Sequence, residues 1–389
     1  MDESPAIRNL RDYVALPSVN PMGRSEIPDE VAGEHRYAAH LREQLRGLGL
    51  DAETIGQGTR TSVVAEAVAR GASDTVLVAS HLDTVPVDGM TIDPFDPVVE
   101  GGRLRGRGSC DTKGGMAALV AALEHVLARG TLRRNVIVVG EADEELGSRG
   151  VHDVLAHLAG RPRRHSHPHP YWVLATEPTG LRVVTRHKGI ALARVVASGR
   201  ACHSSEPERG RNAIVALARA VIALDELSSE LAGRADARLG PGTMSAGVVG
   251  GGLAPNIVPD EAWLLVDRRM LPGEDAEGIS REIRGALERA GIDGVRLASC
   301  TVEKPPLGTA DDHACARTCG RLLQEAGLPG EPCAVAFATD AGVFAEHGIP
   351  CVVMGPGAIA QAHTADEFVE TQQVDAMRDF FVRLLESRS

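Results

Sequence analysis

Apolar residues in this chain recur with two different periods, and the order of those periods outlines its architecture. In SPAIRNLRDYVAL, residues 4–16, Ile7, Leu10 and Val14 share one helical face behind Ser4, a suitable N-cap, and Pro5, suited to a first turn. HRYAAHLREQLRGLGL repeats the period through Tyr37, Leu41, Leu45 and Leu48, and Gly47 and Gly49 mark its end. TSVVAEAVA and TVLVASHLD then read as strands. Residues 76–79 of the second show no polar alternation, as expected of a strand covered on both faces of a mostly parallel sheet. A helix lined with Gly and Ala, TKGGMAALVAALEHVLARG, and two more apolar strands, NVIVVG and YWVLAT, complete an alternation that predicts an α/β layered domain.

From about Arg186 the order changes. IALARVVASG reads as a strand, NAIVALARAVIALDELSSELAG as a helix, TMSAGVVGG and DEAWLLVDRRM as strands, EDAEGISREIRGALERAG as a helix and VRLASCTVE as a strand. This βαββαβ order is the ferredoxin-like split unit. Candidate site residues stand on both sides of it, Glu177 before and His363 after, so the unit reads as an insertion. Residues 1–185 and 303–389 then form one domain and 186–302 another, in keeping with 389 residues being too many for one core.

Aromatic residues make up only 3% of the chain, so Val, Leu, Ile and Ala must build the core. A net charge of -12 argues against a nucleic-acid surface, which needs clustered Lys and Arg. No run of 18 apolar residues suggests a membrane span, and MDESPAIRNL lacks the features of a signal peptide, so the cytoplasm is the expected compartment. Seven scattered cysteines are poor material for a disulfide framework; Cys315 and Cys319, one helical turn apart, read as core packing. RPRRHSHPHP, residues 161–170, holds three histidines, but its prolines suit a surface connection better than a metal tract.

The apolar runs end on chemistry. His81 and Asp83 follow the run at 76–79, Asp111 lies in the glycine-rich turn LRGRGSCDTKGG, Glu144 and Glu145 follow NVIVVG, Glu177 follows YWVLAT, and His363 follows CVVMGPG. The carboxyl ends of strands are where α/β sheets hold ligands. A single His-x-Asp is weak evidence, and an acidic loop can simply face solvent. Two histidines with several carboxylates and no cysteine, however, suit zinc or a similar divalent ion. Adjacent Asp143, Glu144 and Glu145 also repel one another unless cations or protons compensate.

SHLDTVP, GRGSCDTKGG, ADEELGSRG, ATEPT, VPDEAWLLVDRRMLPGE and GPGAIAQAHTADEFVE resemble, in order and across nearly the whole chain, the successive blocks of the M20 family of dinuclear zinc amidohydrolases. The resemblance implies an aminopeptidase-like catalytic domain interrupted by a ferredoxin-like lid, through which a homodimer forms. It implies two Zn2+ per subunit, with Co2+ or Mn2+ as substitutes: Asp111 bridging, His81 and Glu177 completing one site, Glu145 and His363 the other. Asp83 would orient His81 through its second ring nitrogen, and the Asp111–Thr112 peptide is expected to be cis. Glu144 would be the general base, His203 an oxyanion donor reaching the neighbouring subunit, and Asn256 and Arg268 the holders of a substrate carboxylate. Arg269 is expected on the opposite face of that strand.

The blocks look most like the acetylornithine deacetylase and aminoacylase branch, which implies hydrolysis of N-acyl, in particular N-acetyl, amino acids. Succinyl-diaminopimelate desuccinylase and a zinc dipeptidase or carboxypeptidase are rivals on the same metal chemistry. A metal-containing binding module on the same fold is the reading outside enzymes, and the presence of Glu144 with every ligand stands against it.

Overall fold

The structure is a computed structural model that describes residues 3–72, 74–160 and 171–387. The loop at 161–170 lies outside the described residues. The chain divides into two compact units. One comprises the chain up to Thr185, Thr309–Cys333 and the chain from Thr339 onward. The other comprises Arg186–Gly308 and Ala334–Ala338. The return to the first unit falls at Gly308/Thr309, later than the expected 302/303, because the last strand runs to Lys304 and pairs with Gly189–Ser198 almost to its end.

The first unit is built on a mixed sheet. Thr75–His81 lies at its centre, parallel to Asn135–Glu141 on one side and to Tyr171–Ala175 on the other. Cys351–Val353 pairs in parallel beyond Tyr171–Ala175. Arg60–Ala67 pairs antiparallel to Asn135–Glu141 and is joined to Asp51–Gln57 by a hairpin. Every residue of Asn135–Glu141 is buried, and so are all but the first of Thr75–His81. That is why their sequences lack alternation: helices cover both faces. The helix Gly114–Ala128 packs against Pro5–Val14 and Thr371–Glu386 in the same core. Its small residues matter, since a Cβ on Gly115 would come within 2.4 Å of the Thr176 side chain. Ser4 caps Pro5–Val14 as its sequence predicts, accepting from the Ile7 amide at 3.3 Å. Buried Lys113 ties the other end of that helix to the Asp111 turn, donating to the carbonyls of Tyr13 and Leu16 at 3.0 and 2.8 Å.

In the second unit the four long strands order as Thr243–Gly251, Glu261–Met270, Gly189–Ser198, Val295–Lys304, all antiparallel. Ala213–Leu231 and Ala276–Arg289 pack on this sheet, which gives the ferredoxin-like arrangement expected from βαββαβ. Both helices start at side-chain caps: Asn212 accepts from Val215 N at 3.1 Å and Asp275 from Gly278 N at 2.7 Å. No helix among the described residues is long and apolar enough to cross a membrane. None of the seven cysteines is in a disulfide, and Cys315 and Cys319 are buried in the helix Ala314–Glu325.

Candidate metal centre

The parallel strands of the first unit end side by side, and the loops leaving them converge. His81 is the last residue of its strand and is 3% exposed. Its Nε2 lies 2.9 Å from Asp111 Oδ1. The other oxygen of Asp111 faces His363 Nε2 at 3.3 Å, and His363 Nε2 is also 3.2 Å from Glu145 Oε1. Asp111 therefore stands between two imidazoles with one oxygen toward each. Two groups of potential ligands result, His81 with Asp111 and Glu177, and Asp111 with Glu145 and His363; within each, one donor atom per residue lies within 4.8 Å of the others. The Asp111–Thr112 peptide is cis.

Glu144 belongs to neither group. It is buried beside Glu145, and both of their amides are held by one carboxylate: Glu144 N donates to Asp83 Oδ1 at 3.1 Å and Glu145 N to Asp83 Oδ2 at 3.0 Å. Asp83 also faces His81. His81 Nδ1 lies 2.9 Å from the backbone carbonyl of Asp83 and 3.5 Å from its carboxylate, so the carbonyl is the nearer partner of the ring and the carboxylate chiefly ties down the Glu144–Glu145 loop.

Several buried residues around this centre carry no signal in their own sequence neighbourhood. Asn20 donates one amide group to both Asp83 Oδ2 and Asp143 Oδ1, at 2.9 and 3.0 Å, separating two carboxylates that would otherwise repel. Glu34 accepts the amide of Asp143 at 3.1 Å. Glu367 is the third: Phe368–Glu370 stand as a strand between it and the C-terminal helix, which starts at Thr371, and it is fully buried against Arg107 and the Asp111 turn. These partners lie 63 to 260 positions apart in the chain, beyond the reach of any local pattern.

The remaining expected residues lie in the second unit. His203 is exposed, with Nδ1 2.7 Å from Ser205 Oγ. Its loop runs beside exposed Asn256, whose carbonyl accepts from Ser204 N at 3.0 Å. Arg268 is different. It is 0% exposed, its guanidinium bonds to Glu274 Oε1 at 2.6 Å and to the carbonyl of Arg269, and so its fork already has a carboxylate partner inside the unit. Arg269 points to the other face, as the strand period requires, and pairs with Asp267 at 2.9 Å.

The field at the centre favours positive charge. Bonds to Asp111 and Glu145 push His363 up to about 10. Burial would lower His81, but Asp111 and Asp83 override it and hold the ring well above its usual value. Burial raises Asp111, yet its bonds from His363 and His81 outweigh that and hold the carboxyl low. Burial drives Glu145 up to about 7, against the pull of His363. Crowded carboxylates with only two imidazoles to balance them form an all-nitrogen-and-oxygen donor set that suits a pair of divalent cations.

Comparison with known proteins gives the same direction. The model of Peptidase family M20/M25/M40 matches residues 77–387. The chain is 29% identical over 385 residues to an acetylornithine deacetylase of Myxococcus xanthus, covering 96% of this chain and 95% of that protein. It is 29% identical to an acetylornithine deacetylase of Proteus mirabilis, covering 80% and 79%. Among solved structures it resembles an M20 family metallo-carboxypeptidase of Sulfolobus solfataricus, with a TM-score of 0.75, 21% identity and 99% of both chains covered. It also resembles a tripeptidase of Staphylococcus aureus, with a TM-score of 0.78, 20% identity, and 98% and 97% covered.

Proposed function

The chain belongs to peptidase family M20/M25/M40 and is a metal-dependent amidohydrolase, and from that premise we propose that it hydrolyses the amide bond of N-acyl amino acids, with N-acetylornithine as the first substrate to test. The observation that carries the chemistry is Asp111 between His81 and His363, with Glu144 buried beside the pair and outside both donor groups. Support for the acyl-amino-acid branch comes from relatives of near-full length.

His81, Asp111 and Glu177 would hold one ion, and Asp111, Glu145 and His363 a second; we assign zinc, with Co2+ or Mn2+ as substitutes. Bound there, the ions supply Lewis acidity that lowers the pKa of water and polarises the amide carbonyl. Glu144 takes the proton of the attacking water and passes it to the leaving amine. Asp83 keeps Glu144 and Glu145 in place through their amides. His203 is assigned to the developing oxyanion in a paired molecule and Asn256 to the substrate carboxylate. Arg268 is assigned to the same carboxylate, which it would take by releasing its bond to Glu274 Oε1.

Pairing is supported by the edge strand Thr243–Gly251, where Val248 and Val249 are 50% and 67% exposed beside exposed Ile214 and Ile222. A cytoplasmic location is supported by seven cysteines of which none is in a disulfide.

Turnover should be measured with the zinc-loaded protein on N-acetylornithine, other N-acetyl amino acids, N-succinyl-diaminopimelate and simple dipeptides, beside a metal-stripped control. One acetylated amino acid far above the rest, and abolished by stripping, is the expected result. Cleavage of dipeptides alone would sink the deacylase assignment and leave the metal chemistry standing.

A further inference from the structure

Glu367 has more well-placed partners than its position in the chain would suggest. It is 0% exposed, and both carboxylate oxygens are engaged. Oε1 accepts two successive backbone amides, Cys110 N at 3.0 Å and Asp111 N at 3.1 Å. Oε2 takes the Arg107 guanidinium at 2.6 Å, and Arg107 is itself only 3% exposed. The backbone carbonyl of Glu367 also accepts from Gly106 N at 3.0 Å. The turn from Gly106 to Asp111 is thus wrapped around a single residue. Gly106 and Gly108 let it do so, with φ of +141° and +82°. The strand pairing of Phe368–Glu370 with Arg103–Arg105 continues the same join.

His363 lies on this same segment, four residues before Glu367. Glu367 therefore ties the segment carrying one imidazole to the backbone of the aspartate that faces both. A bond from a charged carboxylate to backbone amides is among the stronger hydrogen bonds, and it acts here where no water competes.

We propose that Glu367 is a positioning residue for the metal centre: by clamping the Cys110–Asp111 amides it sets the place from which Asp111 faces His81 and His363 together. The inference rests on the two-ion reading above. Two of the three members of the Asp111, Glu145, His363 group are fixed through Glu367, against one of the other group, so loosening the clamp releases the ion of that group first. Partners of this kind, one step behind the ligands, are worth about 10- to 100-fold in metal affinity.

Glu367→Gln keeps the shape and breaks the clamp, because the amide cannot both accept from the two backbone N–H groups and face Arg107 with an acceptor. The purified protein, stripped and reloaded with Mn2+, is examined for ions bound per chain, for magnetic coupling between them by electron paramagnetic resonance, and for Tm. Wild type is expected to bind two coupled ions. In Glu367→Gln the second ion is expected to bind about 10- to 100-fold more weakly and the coupled signal to disappear at ion concentrations that saturate wild type. A folded variant with a lower Tm but two coupled ions would reduce Glu367 to a buried partner of Arg107 and overturn the proposal. If Glu367→Gln does not fold, Glu367→Asp decides by the same readouts, since it keeps the charge for Arg107 but is too short to span to both amides. Wild type without two coupled ions would instead defeat the reading of the centre itself.

Discussion

Glu144 and Glu145 are neighbours in sequence, and their environments assign them different work. Glu145 places an oxygen 3.2 Å from His363 Nε2 within a donor group, whereas Glu144 is buried and belongs to neither group. Replacing Glu144 by Gln should lower kcat by about 10²- to 10⁴-fold while the number of ions bound per chain stays that of wild type. A variant that lost metal along with turnover would show Glu144 to be a ligand and undo the division. The members of the two donor groups were legible because each follows an apolar run or a glycine turn, and such runs end at the carboxyl edge of the sheet. Asn20, Glu34 and Glu367 were not legible. Each is an ordinary polar residue in its own neighbourhood and acquires a role only when folding brings a distant carboxylate or amide to it. The same holds for the partner of Arg268, since no periodicity announces that Glu274, six residues on, turns back to meet it.

At the scale of elements, the strands buried on both faces and the helices with a clear apolar stripe could be read from the chain, and several others, Asp51–Gln57 and Arg149–Gly160 among them, could not. Asp51–Gln57 is an edge strand of mixed exposure containing Thr, Gly and Gln, so its pattern is diluted. Arg149–Gly160 opens on Arg-Gly, and glycine argues against a helix until its neighbours are known. Its reason is packing: a Cβ on Gly150 would lie 2.1 Å from the carbonyl oxygen of Ala142 and 2.5 Å from the Ala142 nitrogen, both rigid backbone. The first turn of this helix presses directly on the chain leaving Asn135–Glu141, just before Asp143, Glu144 and Glu145. Gly150→Ala should therefore destabilise the protein by about 1–3 kcal/mol, despite the better helix propensity of alanine. It should also weaken metal binding, because the loop rather than the helix has to give. Chemical denaturation alongside metal titration checks this. An unchanged midpoint would mean that the contact relaxes freely, and the close packing would then explain nothing about the glycine.

At the scale of the whole molecule, the second unit raises a different question, because its sheet is left with a side uncovered. One edge strand, Val295–Lys304, mixes exposed with half-buried residues. The other, Thr243–Gly251, carries a run of exposed residues from Ser245 to Val249, interrupted by a register shift between Ala246 and Val248. Charged residues or prolines usually protect such an edge from pairing, and this one has neither. Exposed valines on an edge with free backbone groups are suited to a second copy of the same strand, related by a twofold axis. Val249→Asp should leave the fold intact, since that side chain is 67% exposed and bears no core load. It should also place two like charges near the axis, desolvated and facing each other. A penalty of a few kcal/mol weakens association by 100-fold or more, enough to move a micromolar equilibrium to monomer at the same concentration. Light scattering during size-exclusion chromatography is expected to give twice the 41.0 kDa chain mass for wild type and the single mass for the variant. Wild type at the single mass would remove the dimer, and with it the case for His203 acting in a neighbouring site. A variant still at the double mass would place the interface elsewhere and leave the exposed valines without an occupant.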